Sequence, residues 1–169
     1  MDMKKHNAIL IICALTFAAG LMQVTGCGKT SSGKGYYALV RYVVDGDTVK
    51  LANGETVRYI GIDTPEINYY EGAAEHLAWE AKAFNEQLVS HRVVRLEFDV
   101  EKRDKYDRLL AYVFTKGTFV NAELLKEGYA DVLNIPPNVR YAEFFARTQQ
   151  EAQRNNKGIW QEQSNARPF

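Results

Sequence analysis

Cysteine is scarce in this sequence: Cys13 and Cys27 are the only two in 169 residues. That excludes a disulfide-stapled fold and a thiolate zinc site, both of which need more thiols. Histidine is nearly as rare, at His6, His76 and His91. None has a second His or Cys at ligand spacing, so a histidine zinc centre is excluded too. A charge excess is also missing, with 21 basic against 21 acidic residues. A protein that grips duplex nucleic acid through its whole surface usually shows a basic surplus. Any steering of a polyanion must therefore come from local groups. Finally, the apolar run Ala8 to Ala19 is twelve residues long, short of the ~20 that span a bilayer.

That run has another use. Lys4 and Lys5 precede it, and Val24-Thr25-Gly26-Cys27 follows it. A positive start, a short apolar middle and small residues make a secretory signal. Small residues ahead of a cysteine resemble a bacterial lipobox, with cleavage before Cys27 and lipidation of its thiol. An ordinary signal peptide cut nearby, or an uncleaved anchor, is the plainer alternative. The expected organisation is a signal peptide over 1–26, a Ser/Gly/Lys-rich tether over 27–35, one domain over 36–162 and a tail over 163–169. The expected location is outside the cytoplasm, on the cell membrane. Loss of Lys4, Lys5 and Asp2 leaves 19 basic and 20 acidic residues. The mature chain has no internal disulfide, yet it is long enough to stand on its core.

Three stretches carry the chemistry. The first, Arg58-Tyr59-Ile60-Gly61-Ile62-Asp63-Thr64-Pro65-Glu66, ends an apolar, β-branched strand running from Thr56 to Ile62. Pro65 stops that strand, so Asp63 and Glu66 sit where a rigid element gives way to a loop. Strict alternation puts Arg58 and Asp63 on opposite faces. For them to cooperate the strand must bend, and Gly61 permits it. The second stretch, Asp45-Gly46-Asp47-Thr48, brings carboxylates two apart. The third, Arg103-Asp104-Lys105-Tyr106-Asp107-Arg108, brings another arginine just ahead of a strand. Carboxylate oxygens suit a hard divalent cation, and guanidinium forks suit phosphate. Together they point to metal-assisted phosphodiester hydrolysis.

Around these stretches, strands are expected over 37–44, 48–51, 92–100 and 109–114. The first two form a meander with the Arg58 strand. A helix is expected over 73–89, from the stripe Leu77, Ala81, Phe84 and Leu88. It would carry His76, with His91 at its end. A second helix is expected from an Asn121 cap to Gly128. A third should run over 139–155, with Tyr141, Phe144, Phe145, Thr148 and Ala152 inward and Ile159-Trp160 folding back. This pattern reads as an α+β domain with an antiparallel sheet.

The order DGDT, then R-x4-DTPE, then DKY-x-R-x-LAY resembles the staphylococcal nuclease (thermonuclease) family from about Tyr37 to Trp160. The resemblance implies a five-stranded OB-type β-barrel with three helices, acting as a monomer on DNA and RNA. It implies a Ca2+-dependent phosphodiesterase or endonuclease that cuts the P–O5′ bond and leaves 3′-phosphates. Asp47 and Asp63, with the carbonyl of Thr64 and water, would hold the Ca2+. Glu66 would serve as general base, and Arg58 and Arg108 would grip the phosphate. Lys105 and Tyr106 would touch a flanking phosphate, and Asp45 would support its loop. One departure stands out. Asp131-Val132-Leu133-Asn134-Ile135-Pro136 carries no tyrosine where the secreted staphylococcal enzyme has base-stacking ones. Tyr69 or Tyr70 could supply that contact, or could simply pack.

Taken singly, each group has an ordinary explanation. Asp-Gly marks a hairpin, a surface arginine is usually solvated, and RDKYDR is a charged loop. The alternative function is therefore a non-catalytic OB-type nucleic-acid-binding module. A Ca2+-binding lipoprotein whose arginines serve only ion pairs is a third. The joint presence of Asp47, Arg58, Asp63, Glu66 and Arg108 at family spacing favours the enzyme.

Overall fold

The computed structural model describes residues 35–161. The expected signal peptide, nearly all of the tether, Cys27 and the tail lie outside the described residues. Five strands build the barrel. They are β1 (Tyr36–Val43), β2 (Thr48–Leu51) and β3 (Thr56–Tyr59), then, beyond β4 (Gly61–Asp63), β5 (Ile67–Asn68) and β6 (Ala73–Ala74), the strands β7 (Val93–Glu97) and β8 (Leu109–Thr115). β3, β2, β1, β7 and β8 are antiparallel neighbours in that order. The barrel closes where β3 pairs with β8, and this pair is parallel. The wholly antiparallel sheet read from the strand pattern is thus corrected to a mixed one. Chain enough for a helix separates β3 from β8, as a parallel connection requires. The result is a closed five-stranded barrel of OB type with three helices.

The closing register matters for the site. It sets Arg58 beside Leu110, two residues past Arg108, so both guanidinium groups rise at one end of the barrel. The expected single strand over 56–62 is two strands. Gly61 takes φ +82°, a region open to glycine at little cost, and the chain turns there into β4. β4 then pairs with β10 (Asp131–Leu133) outside the barrel.

Helix α1 spans Ala78–Val89, beginning five residues later than expected and ending where expected. Ala73 and Ala74 instead pair with β5 in a small hairpin, and His76 lies in the turn before the helix rather than on it. After β9 (Thr118–Phe119), helix α2 covers Val120–Lys126. Asn121 does not cap it. It is buried within its first turn, accepts from the Val113 N–H and donates to the Ile60 carbonyl, both at 2.9 Å. Two backbone groups of the barrel need partners there, which outweighs capping. Helix α3 is Ala142–Arg154, trimmed at both ends. Phe145 and Ala152 are buried, but Phe144 is 42% exposed and stacks along Phe119 rather than entering the core. Trp160 does fold back and is buried. Its turn docks through the Ile159 N–H to the Gly128 carbonyl at 2.9 Å.

Candidate active site

The acidic loop between β1 and β2 is held by its own carboxylates. Asp45 accepts from the Asp47 N–H at 3.1 Å, the supporting role expected of it. Gly46 is required by crowding: a Cβ there would stand 2.5 Å from the Thr64 hydroxyl. The close approach of Thr64 lets its N–H donate to Asp47 Oδ2 at 3.0 Å, while the Thr48 hydroxyl donates to Asp47 Oδ1 at 3.0 Å. Asp47 is 2% exposed. Burial pushes its carboxyl up to about 7, helped by Asp45 and opposed by Arg58 and the Thr64 and Thr48 hydrogen bonds. Removal from water disfavours the charged form of the carboxyl.

Arg58 joins the two acidic residues. Its Nη1 lies 2.9 Å from Asp47 Oδ2 and its Nη2 lies 2.5 Å from Asp63 Oδ1. Nη1 also donates to the carbonyls of Tyr59 and Ile62, across the turn that Gly61 makes. The bend needed to bring Arg58 and Asp63 together is present. Asp63 is half exposed while the Arg58 side chain is only 12% exposed, so the pair has one face toward solvent. Glu66 follows on the next loop. Burial raises its carboxyl above the ordinary range, with Asp45, Asp63 and Glu75 adding to that and Arg58 opposing. A base poised nearer neutrality is better suited to take a proton.

Arg58 also lines a cleft of about 480 Å³, together with Lys105, Tyr106 and Arg108. Arg108 is aimed by Asp104, which accepts from its Nε at 2.7 Å and from its N–H at 3.0 Å. Lys105 and Arg108 both lie over the Tyr106 ring, at 4.9 and 5.5 Å. The Asn138 side chain ties the far wall to the Glu101 backbone, accepting from its N–H at 2.8 Å and donating to its carbonyl at 2.9 Å. The cleft therefore gathers Arg58, Lys105, Tyr106 and Arg108. Asp47 and Asp63 touch Arg58, the Thr64 N–H is bonded to Asp47, and Glu66 stands three residues beyond Asp63.

Oxygen donors suit a hard cation. Among the described residues no three His, Cys, Asp or Glu side chains group around one point. A cation here would rest on two carboxylates, a carbonyl and water, a set that Ca2+ accepts. The chemistry of the donors therefore fits the ion.

Residues 56–162 match the family model described as staphylococcal nuclease homologue. The chain belongs to this family. It is 36% identical over 167 residues to the thermonuclease of Staphylococcus intermedius, covering 94% of this chain and 99% of that protein. It is 32% identical over 156 residues to the thermonuclease of Staphylococcus hyicus, covering 90% and 92%. Endonuclease YncB of Bacillus subtilis (strain 168) is 42% identical over 122 residues, covering 69% of this chain and 58% of that protein.

One residue of this staphylococcal nuclease domain, Asn85, was not singled out by sequence, and Tyr69, expected to stack or pack, has a further contact. Asn85, fully buried on α1, accepts from the Tyr59 hydroxyl at 3.0 Å and donates to the Asp45 carbonyl at 3.3 Å. The Tyr69 hydroxyl donates to the neighbouring Val44 carbonyl at 2.6 Å. Consecutive carbonyls of the acidic loop are thus clamped from α1 and from the loop after β5. A polar residue four positions after Ala81, on the inner face of the helix, was the available signal for Asn85.

Proposed function

We propose that the protein is a Ca2+-dependent nuclease that hydrolyses DNA and RNA and leaves 3′-phosphates. We further propose that it works as a monomer, exported and held on the cell membrane through lipidated Cys27. The observation that carries the catalytic reading is the position of Arg58. Its guanidinium touches Asp47 and Asp63 and lines the same cleft as Arg108, Lys105 and Tyr106. A phosphate entering that cleft meets two guanidinium forks, one of them adjacent to the acidic pair. The endonuclease and thermonuclease names of the relatives agree with this chemistry.

Each side chain then has a task. Asp47, Asp63 and the Thr64 carbonyl would hold the Ca2+, which when bound polarises a phosphoryl oxygen and favours water as nucleophile. Glu66 accepts the proton of the attacking water. Arg58 and Arg108 bind the phosphate and stabilise the charge that grows on it in the transition state, each such donor being worth about 10²–10³ in rate. Lys105 and Tyr106 hold a flanking phosphate. The Asn85 and Tyr69 clamps fix the acidic loop before substrate arrives, so little reorganisation is needed.

The test is nicking of supercoiled plasmid with Ca2+, with Mg2+ and with a chelator. Cleavage should require Ca2+ and be weaker with Mg2+, which demands tighter octahedral geometry and gives up water reluctantly. Binding without cleavage under every condition would favour a binding module. Full cleavage in chelator would overturn the metal assignment.

A further inference from the structure

The loop after β5 and the first turn of α1 form an aromatic corner outside the cleft. Tyr69 and Trp79 meet there edge to face, with ring centroids 6.0 Å apart and planes at 90°. Both stay open to solvent, at 52% and 54% exposure. Lys82, one turn along α1 from Trp79, sets its ammonium 5.4 Å from the Tyr69 centroid and 5.7 Å from that of Trp79. It also donates to the Tyr69 hydroxyl at 3.0 Å.

This corner is fastened to the candidate active site. The Tyr69 hydroxyl holds the carbonyl of Val44, the residue before Asp45. Tyr69 also follows Glu66 by three residues, a reach of about 10 Å at full extension. Segment 131–136 brings no aromatic ring to the cleft, whose wall there is Leu133 and Ile135.

We infer that Tyr69, Trp79 and Lys82 form a stacking subsite for a base of single-stranded nucleic acid, beside the phosphate that is cut. The inference rests on the nuclease reading above. Each ring is only half exposed, and the part left free by Lys82 and by the edge-to-face contact accepts any base, because every base has a π-face. The ammonium complements a neighbouring phosphate. Glu71, Glu75 and Glu80 are exposed nearby in sequence, so attraction is confined to Lys82 and stacking carries the contact. The subsite therefore favours unpaired strands, whose bases are free to stack, over duplex.

Fluorescence tests this directly. The chain has two tryptophans, and Trp160 is buried while Trp79 is not. Titrating the full chain carrying Glu66→Gln with an oligothymidine of about twelve residues, with Ca2+ present, should quench Trp79 saturably. In the active chain, Trp79→Ala should raise KM for that oligonucleotide about tenfold, the size of one lost stacking contact. Trp79→Phe should restore most of it. Tyr37→Ala, on the exposed face of β1, should leave KM unchanged. An unquenched titration, or a wild-type KM in Trp79→Ala, would overturn the subsite while leaving hydrolysis intact. Absence of hydrolysis in the unaltered chain would instead remove the nuclease reading, and quenching would still report base stacking.

Discussion

Arg58 and Asp63, five residues apart, meet at 2.5 Å because the chain turns between them at Gly61. In a straight strand they would face opposite ways. The turn leaves room for nothing larger than glycine. A Cβ at position 61 would lie 2.6 Å from Cε2 of Phe145, and φ +82° is strained for any other residue.

Gly61→Ala should therefore damage fold and site together. Overpacking against Phe145 should lower stability by about 1–3 kcal/mol, measured by urea unfolding. The Arg58–Asp63 contact should loosen, and hydrolysis should fall. Adding Phe145→Leu should relieve the clash but not the positive φ, so stability should return only in part. Wild-type stability and activity in Gly61→Ala would show that the turn is not needed.

Much of this was legible in the sequence. The five barrel strands stand close to where the apolar, β-branched runs and turn residues put them. The bend at Gly61 followed from asking how Arg58 could reach Asp63. Other features depend on contacts distant in sequence. Leu77, the apparent first member of the α1 stripe, takes φ +64° at the helix start, and the β5–β6 hairpin claims the residues before it. Asn121 has the composition of a cap, yet two barrel backbone groups sixty-one and eight residues away claim its side chain. The parallel closure of β3 on β8 has no local signature. At the candidate site the sequence did not show the division: a cleft with Arg108, Lys105 and Tyr106, and an acidic pair that touches Arg58.

Acid stability should report on Glu97. Burial alone would raise its carboxyl, but hydrogen bonds from Arg140, Arg95 and Tyr141 outweigh it and hold the group below the usual range. A depressed folded-state value stabilises the fold above the unfolded value of 4.5. That stability is lost as pH falls through the folded value. Glu97→Gln should thus lower Tm at pH 7 and flatten its fall between about pH 5 and 3. Thermal melts across that range decide the matter, and an unchanged slope would count against this role.

Arg108 tests fork geometry. Lysine keeps the charge but loses the bidentate match to phosphate and the Nε that Asp104 aims. Arg108→Lys should cut turnover by about 10²–10³ with a smaller change in KM, in steady-state assays on single-stranded DNA. A change in KM alone would assign Arg108 to ground-state binding.

The anchor is tested at Cys27. Mass spectrometry of the membrane fraction should find the mature chain beginning at an acylated Cys27. Cys27→Ser should release the domain or block its processing, without loss of nuclease activity in the purified protein. An unmodified Cys27 in the mature chain would exclude the lipid.

The central claim, that this group of residues hydrolyses phosphodiesters with Glu66 as base, is tested most directly by Glu66→Gln. The substitution keeps shape and removes the proton acceptor. Single-turnover hydrolysis of single-stranded DNA at saturating Ca2+ should fall by about 10² or more, while calorimetry shows Ca2+ bound as in the unaltered chain. Equal hydrolysis rates in Glu66→Gln and the unaltered chain would place the chemistry elsewhere.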